Sequence, residues 1–141
     1  MSNIDDLDSY LIKSGLPYEA IGDGTWVLHP ESARHAPIGV KMEEPIVLFS
    51  IQMFELSPDI KDREGLFRLL LELNSELLHA SYSLQGDQVV LSGAQQLENL
   101  DFNEFQAVVD DMCMALDNHY DKIAPRVSVP DRQAAGAEGS A

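Results

Sequence analysis

The stretch Pro45-Ile-Val-Leu-Phe-Ser-Ile-Gln-Met-Phe54 decides the fold, because it is the clearest strand pattern in the chain. Alternate positions form one wholly apolar face, made of Val47, Phe49, Ile51 and Met53. The opposite face is mixed and consists of Ile46, Leu48, Ser50 and Gln52. A period of two residues is typical of a β-strand with one face against a hydrophobic core. The pattern therefore predicts a central strand of a sheet.

Upstream of this strand, a glycine loop predicts a β-hairpin. Residues 18–21 and 25–28 flank Gly22-Asp23-Gly24, and short glycine loops of this kind join antiparallel strands. Residues 29–44 contain two prolines and show no apolar period. We therefore expect a long loop between this hairpin and the central strand.

The chain beyond residue 79 predicts a second hairpin and then a helix. Gly86-Asp87 forms a two-residue turn between residues 80–85 and 88–93, which is a strong hairpin signal. The run Asp101-Phe-Asn-Glu104 resembles a capping box, with Asp in the place of Ser or Thr. A helix is predicted to begin there, and Pro125 is expected to end it.

The first helix is predicted at the start of the chain. Ile4, Leu7 and Leu11 are spaced at i, i+3 and i+7, so they share one face of a helix. Gly15 follows the last turn and can adopt the left-handed conformation that commonly ends helices.

A further helix, predicted to begin near Asp62, carries more apolar surface than one sheet face covers. Its apolar residues are Leu66, Phe67, Leu70, Leu71, Leu73, Leu77 and Leu78. Asn74 is a polar residue on the same stripe. A helix that is apolar over more than half its circumference is either deeply buried or paired with another subunit. We therefore expect a homodimer with these apolar residues at its interface.

Charge and composition restrict the classes of partner. The 141 residues include 24 acidic and 9 basic side chains, which gives a net charge of −15. Such a charge repels phosphate backbones and anionic lipid, so nucleic acid and membrane surfaces are not expected partners. The acidic start of the chain has no apolar signal core, and Cys113 is the only cysteine. A cytoplasmic location is expected.

The motifs of common enzyme and cofactor sites are absent from the sequence. It contains no Gly-x-Ser-x-Gly elbow and no phosphate-binding loop. Its four histidines are scattered, with one cysteine among them, whereas a zinc site needs three or four converging ligands. We therefore predict no catalytic residues, no metal and no cofactor.

The order helix, three strands, helix, two strands, helix resembles that of the type III secretion chaperones of the Tir-chaperone class and of the related YbjN-like domains. Four segments between Ile4 and Ile123 carry the resemblance. They are Ile46-Val-Leu-Phe-Ser-Ile51, Leu66-Phe-Arg-Leu-Leu-Leu-Glu-Leu-Asn74, Tyr82-Ser-Leu-Gln-Gly-Asp-Gln-Val-Val-Leu91 and Phe105-Gln-Ala-Val-Val-Asp-Asp-Met112.

This resemblance implies an α+β fold, in which an antiparallel sheet is packed by helices, and usually a homodimer. It also implies a function, which is to hold a non-globular stretch of a secreted protein on the apolar surface of the first helix and the strands. The candidate partner-binding residues are Ile4, Leu7, Leu11, Trp26 and Leu28. Trp26 and Leu28 are expected on an edge strand, although an ordinary core position for Trp26 is equally compatible with the sequence.

Two interpretations of function are favoured at this point, and a small-molecule-binding or catalytic role remains as a third. One is a chaperone that binds a polypeptide client, and the other is a YbjN-like regulatory or scaffold domain that dimerises without holding clients. Both predict a single domain over residues 1–124. Residues 125–141 are rich in Ala, Gly and Ser and are expected to form a disordered tail.

Overall fold

The computed structural model describes residues 4–31 and 36–127. The helices and strands follow one another in the order α1 (Ile4–Ser14), β1 (Tyr18–Gly22), β2 (Thr25–Leu28), β3 (Ile38–Glu43), β4 (Ile46–Glu55), α2 (Arg63–Asn74), β5 (Ser81–Gln85), β6 (Gln88–Gln96), α3 (Phe102–Asn118) and α4 (Tyr120–Val127).

The strands form one antiparallel sheet in the order β1-β2-β3-β4-β6-β5. β4 lies in the interior of the sheet, where Val47 pairs with Met42 of β3 and Ile51 pairs with Leu91 of β6. The α+β fold with an antiparallel sheet, and the central position of this strand, are therefore confirmed.

The sheet buries one face, and the helices pack on that face. Along β4, Val47, Phe49, Ile51 and Met53 are buried. The Phe49 ring meets the ring of Phe105 from α3 edge-on, with their centroids 5.3 Å apart. α3 and α4 contact β4, whereas α1 packs on α3, and α2 packs on α4 and β5.

The helix starts predicted near Asp62 and at Asp101 are confirmed, and a capping side chain marks each of them. The Asp62 side chain accepts a hydrogen bond from the Gly65 backbone N–H at 2.9 Å. Asp101 and Glu104 form a complete capping box, in which each side chain accepts from the other residue's backbone N–H. These bonds satisfy N–H groups that have no partner inside the helix.

The prediction of a continuous loop over residues 29–44 is wrong, because β3 occupies Ile38–Glu43. Ile38 and Val40 are buried, and β3 pairs with β2 on one side and with β4 on the other. The apolar pattern of β3 consists of only two core-facing residues separated by a glycine, which is too short to be recognised from the sequence. The strand is recognised only through its pairing with β2 and β4. Residues 32–35 of the same segment lie outside the described residues.

The last predicted helix is interrupted. α3 ends at Asn118 and α4 begins at Tyr120, with the buried side chain of His119 between them. The prediction that the helix ends at Pro125 is wrong, because α4 continues to Val127. The remaining part of the predicted tail, residues 128–141, lies outside the described residues.

Gly93 on β6 supports a close approach between backbones. A Cβ atom at this position would lie 2.5 Å from the carbonyl oxygen of His79, and 3.2 Å from a methyl carbon of Val108. A backbone carbonyl has little freedom to move away, so any larger residue at position 93 would displace either β6 or the chain before β5.

We predict that Gly93→Ala lowers the free energy of unfolding by about 1–3 kcal/mol, the range expected for overpacking. Gly22→Ala is the matched control, because Gly22 has open space around its Cα and no positive φ. This control should leave stability unchanged or raise it slightly. Urea unfolding of both variants is the measurement, and equal effects would contradict the steric argument.

Candidate protein-binding surfaces

The candidate partner-binding residues do not form an open apolar surface. Leu7, Leu11, Trp26 and Leu28 are buried in the core, and the side chain of Ile4 lies outside the described residues. The expectation that these side chains are exposed is therefore wrong for the four that are described. The apolar stripe of α1 faces inward, and Trp26 lies on β2, which β1 separates from the sheet edge.

β1 is one of the two edge strands of the sheet, and among the described residues no further strand pairs with its outer side. Four of its five residues are exposed, and the Ile21 side chain is 61% exposed. The carbonyl of Pro17, just before β1, accepts a hydrogen bond at 2.8 Å from the N–H of His29, just after β2. Because residues of an antiparallel strand point alternately to either side, the backbone groups of Tyr18 and Ala20 point away from β2. We call this outer side of β1 the β1 edge.

A second candidate surface, which is apolar, lies between α2 and β5. It is a groove of about 350 Å³, lined by Phe67, Leu70, Leu71, Asn74, Tyr82, Ser83 and Leu84, and we call it the α2–β5 groove. The Leu71 side chain is 72% exposed and the Leu84 side chain is 46% exposed. Large apolar side chains so exposed on neighbouring elements are typical of an interaction surface.

The structure divides the predicted dimer stripe into two sets. Leu66, Leu70, Leu73 and Leu77 are buried within their own chain. Phe67 and Leu71 line the α2–β5 groove together with the buried Leu70. Leu77 and Leu78 both lie beyond the end of α2, and Leu78 is 86% exposed. Sequence reasoning missed the groove residues of β5, because the packing of a hairpin beside a helix depends on the sheet order.

Tyr82 forms the floor of the groove and is held by a buried polar contact. Its hydroxyl lies 2.9 Å from Nδ1 of His119, and Nε2 of His119 lies 2.9 Å from Oε1 of Glu76. A carboxylate only accepts hydrogen bonds, so Nε2 donates to Glu76. In the neutral imidazole, Nδ1 then accepts from the Tyr82 hydroxyl.

Two pKa shifts agree with this arrangement. Burial, followed by the charges of Glu76 and Asp111, raises the pKa of Tyr82 far above its usual value, so the hydroxyl remains a donor. The hydrogen bond from His119 lowers the pKa of the Glu76 carboxyl, so it remains an acceptor at neutral pH. The stability that this lowered pKa contributes is present at neutral pH and is lost as the carboxyl protonates in acid.

The described residues include no group that could bind a metal ion and no activated cysteine. Across 4–31 and 36–127, no group of three or more His, Cys, Asp or Glu side chains could hold a metal ion. In the same ranges, no helix is both long and apolar enough to cross a membrane. Burial, together with the charges of Asp110 and Asp117, raises the pKa of the half-buried Cys113 thiol to about 11. This thiol is therefore a weak nucleophile at neutral pH.

The sequence model of the CesT_Tir_1 family matches residues 1–127. The chain belongs to the CesT_Tir_1 family. The resemblance inferred from the sequence is thus confirmed over all of the described residues. No curated protein matches the chain in sequence.

Solved structures at low sequence identity share the fold of this family member. One is a chain of the heterodimeric ExoU–SpcU complex from the type III secretion system of Pseudomonas aeruginosa, with 17% identity and a TM-score of 0.62 over 86% of this chain and 98% of that one. YbjN from E. coli has 16% identity and a TM-score of 0.61 over 91% and 96% of the two chains. A chain from the complex of the Yersinia pestis type III secretion chaperone SycH with a fragment of YscM2 has 12% identity and a TM-score of 0.55 over 81% and 98%.

We predict that Tyr82→Phe lowers the free energy of unfolding by about 1–3 kcal/mol, because it leaves Nδ1 of the buried His119 without a donor. Tyr18→Phe is the matched control, because Tyr18 is a half-buried tyrosine on the edge strand β1, and it should leave stability unchanged. Chemical denaturation of both variants measures the difference. Equal stability of the Tyr82→Phe variant and the unaltered protein would show that the hydroxyl contact contributes nothing.

Proposed function

We propose that this protein is a non-enzymatic chaperone that holds an extended stretch of a partner polypeptide in the cytoplasm, and that it does so as a homodimer. The observation that carries the proposal is the β1 edge, a strand at the end of the sheet with exposed side chains and with backbone groups directed outward. Membership of the CesT_Tir_1 family supports it, as do structural neighbours that come from chaperone complexes.

An open edge strand suits a partner that has no fold of its own. An extended segment can add to the sheet by main-chain hydrogen bonds, while its alternate side chains contact the surface beside the edge. Ile21 provides an apolar contact next to the outward-facing backbone of Ala20. The partner would therefore be an extended segment with at least one apolar side chain in this position.

The net charge of the chain restricts the partner further. With −15 over 141 residues, the chaperone would attract a basic segment and repel an acidic one, chiefly through the association rate. Glu19 lies on β1 itself, where its carboxylate is 3.4 Å from the exposed ring of His29. A basic, non-globular polypeptide is therefore the proposed class of client.

We predict that the protein suppresses the aggregation of reduced lysozyme, which is a basic unfolded chain, and that Ala20→Pro abolishes this effect. Proline removes only the outward N–H at this position, so the pairing of β1 with β2 should persist. Ala20→Thr is the matched control, because it keeps the N–H and favours a strand. Light scattering measures aggregation, and thermal melting checks the fold.

The outcome of this comparison decides the role of the β1 edge. Equal suppression by the Ala20→Pro and Ala20→Thr variants would show that clients do not pair with β1. Failure of the unaltered protein to suppress aggregation, with intact folding, would remove support for client holding and favour a scaffold role.

The α2–β5 groove is the proposed dimer surface. Phe67, Leu71 and Leu84 present apolar area that a second copy, with the same groove, can cover in a symmetric contact. A standard interface buries about 800 Å² per partner, an area that α2 and the adjoining strand can supply. Compared with the interface predicted from the sequence, the proposed interface keeps only the outer residues of the stripe, and it adds residues of β5.

We predict that the unaltered protein sediments at twice its 15.6 kDa chain mass at micromolar concentration, and that Leu71→Glu yields monomers. A buried glutamate without a partner would destabilise the interface strongly. Ile12→Glu is the matched control, because Ile12 is 66% exposed on α1, away from the groove. A monomeric unaltered protein, or a dimer that survives Leu71→Glu, would contradict this interface.

A further inference from the structure

Asn74 is a polar residue on the apolar stripe of α2, and its amide binds the backbone of the edge strand β5. Its Oδ1 accepts from the Tyr82 N–H at 2.6 Å, and its Nδ2 donates to the Tyr82 carbonyl at 3.3 Å. Both backbone groups of Tyr82 therefore point away from β6. Because alternate residues of a strand point to opposite sides, Ala80 and Leu84 also point outward.

A second side chain occupies the outward position before Tyr82. The Ala80 N–H donates to Oδ2 of Asp111 on α3 at 3.0 Å, and the same oxygen accepts from the N–H groups of Leu78 and His79 at 3.0 and 2.7 Å. Of the three outward positions around β5, helix side chains thus hold two. The third is Leu84, which lies two residues before the Gly86-Asp87 turn. A single free position cannot form the repeated hydrogen bonds that join two strands.

We propose that Asn74 closes the β5 edge to strand addition, and that a partner strand is thereby restricted to the β1 edge. An exposed sheet edge is a template for pairing with any extended chain. Within residues 4–31 and 36–127, no strand pairs with the outer side of β1, whereas β5 is closed by an amide that offers one donor and one acceptor. Asn74 is thus a specificity-determining residue, an assignment that rests on the proposed client-holding function.

The chemistry of the site explains why this residue is asparagine. A side-chain amide presents an acceptor for an N–H and a donor for a carbonyl side by side, as the two backbone groups of Tyr82 require. Aspartate would leave the Tyr82 carbonyl without its donor. Leucine would continue the apolar stripe, but it would release both backbone groups of Tyr82 at the sheet edge.

Hydrogen exchange tests the closed edge in the unaltered protein. The amides of Ala80 and Tyr82 should be protected at least tenfold more than those of Tyr18 and Ala20, although all four lie on the outer sides of edge strands. The measurement is repeated in the Leu71→Glu variant, so that protection by a second copy can be distinguished. Equal exchange at the two edges would overturn the proposal.

Asn74→Leu tests the consequence of opening the edge. The variant should form species larger than the unaltered protein in sedimentation velocity and should bind thioflavin T. Asn103→Leu, which adds an exposed leucine to α3, is the control and should do neither. Because Leu84 lines the proposed dimer surface, the rescue is measured in the Leu71→Glu background. There Asn74→Leu should still form larger species, and adding Leu84→Pro, which removes the next outward N–H, should return the size to that of the Leu71→Glu variant alone.

The same experiment distinguishes edge pairing from loss of stability. A destabilised fold would assemble equally with or without Leu84→Pro, and this result, or an Asn74→Leu variant of unaltered size, would overturn the proposal. Neither measurement uses a client. The role of Asn74 can therefore fail while suppression of lysozyme aggregation persists, and the reverse outcome is equally visible.

Discussion

The structure depends on the requirement that one face of the sheet, and only one, is covered by helices. The apolar face of β4 defines that side, and the ring contact between Phe49 and Phe105 joins the sheet to α3 at 5.3 Å. Because every helix must share this side, the sheet keeps an exposed face and two edges. Interaction with other chains then depends on which side chains cover the outer backbone groups of each edge strand.

The outer sides of the two edge strands differ because the helices do not lie equally close to both. α2 runs beside β5, so its side chains reach the outer backbone of that strand and form an apolar groove with it. On β1, the backbone groups of Tyr18 and Ala20 point away from β2. One end of the sheet therefore offers side-chain surface, which suits a folded partner such as a second copy. The other end offers backbone, which suits an extended partner.

Features set by local interactions could be predicted from the sequence, and features set by neighbouring elements could not. The Asp101 capping box and the Gly86-Asp87 turn depend on residues that are adjacent in the chain, and both are present. β3 has too few core-facing residues to be recognised without its neighbours. Trp26 was expected near an edge, but the sheet order places β2 inside. The α2 side of the groove could be predicted, because Leu71 belongs to the apolar stripe of that helix. The β5 side could not, because Leu84 lines the groove only through the packing of β5 on α2.

Tyr82 links these observations, because it is fixed at its N–H, its carbonyl and its hydroxyl. The first two contacts come from α2, and the third comes from His119 at the break between α3 and α4. A residue held at three points loses little further freedom when a partner covers it, and a preformed surface binds with a smaller entropic loss. The interruption of the last helix at His119 thus places an imidazole within hydrogen-bond distance of Tyr82, a residue that lines the α2–β5 groove.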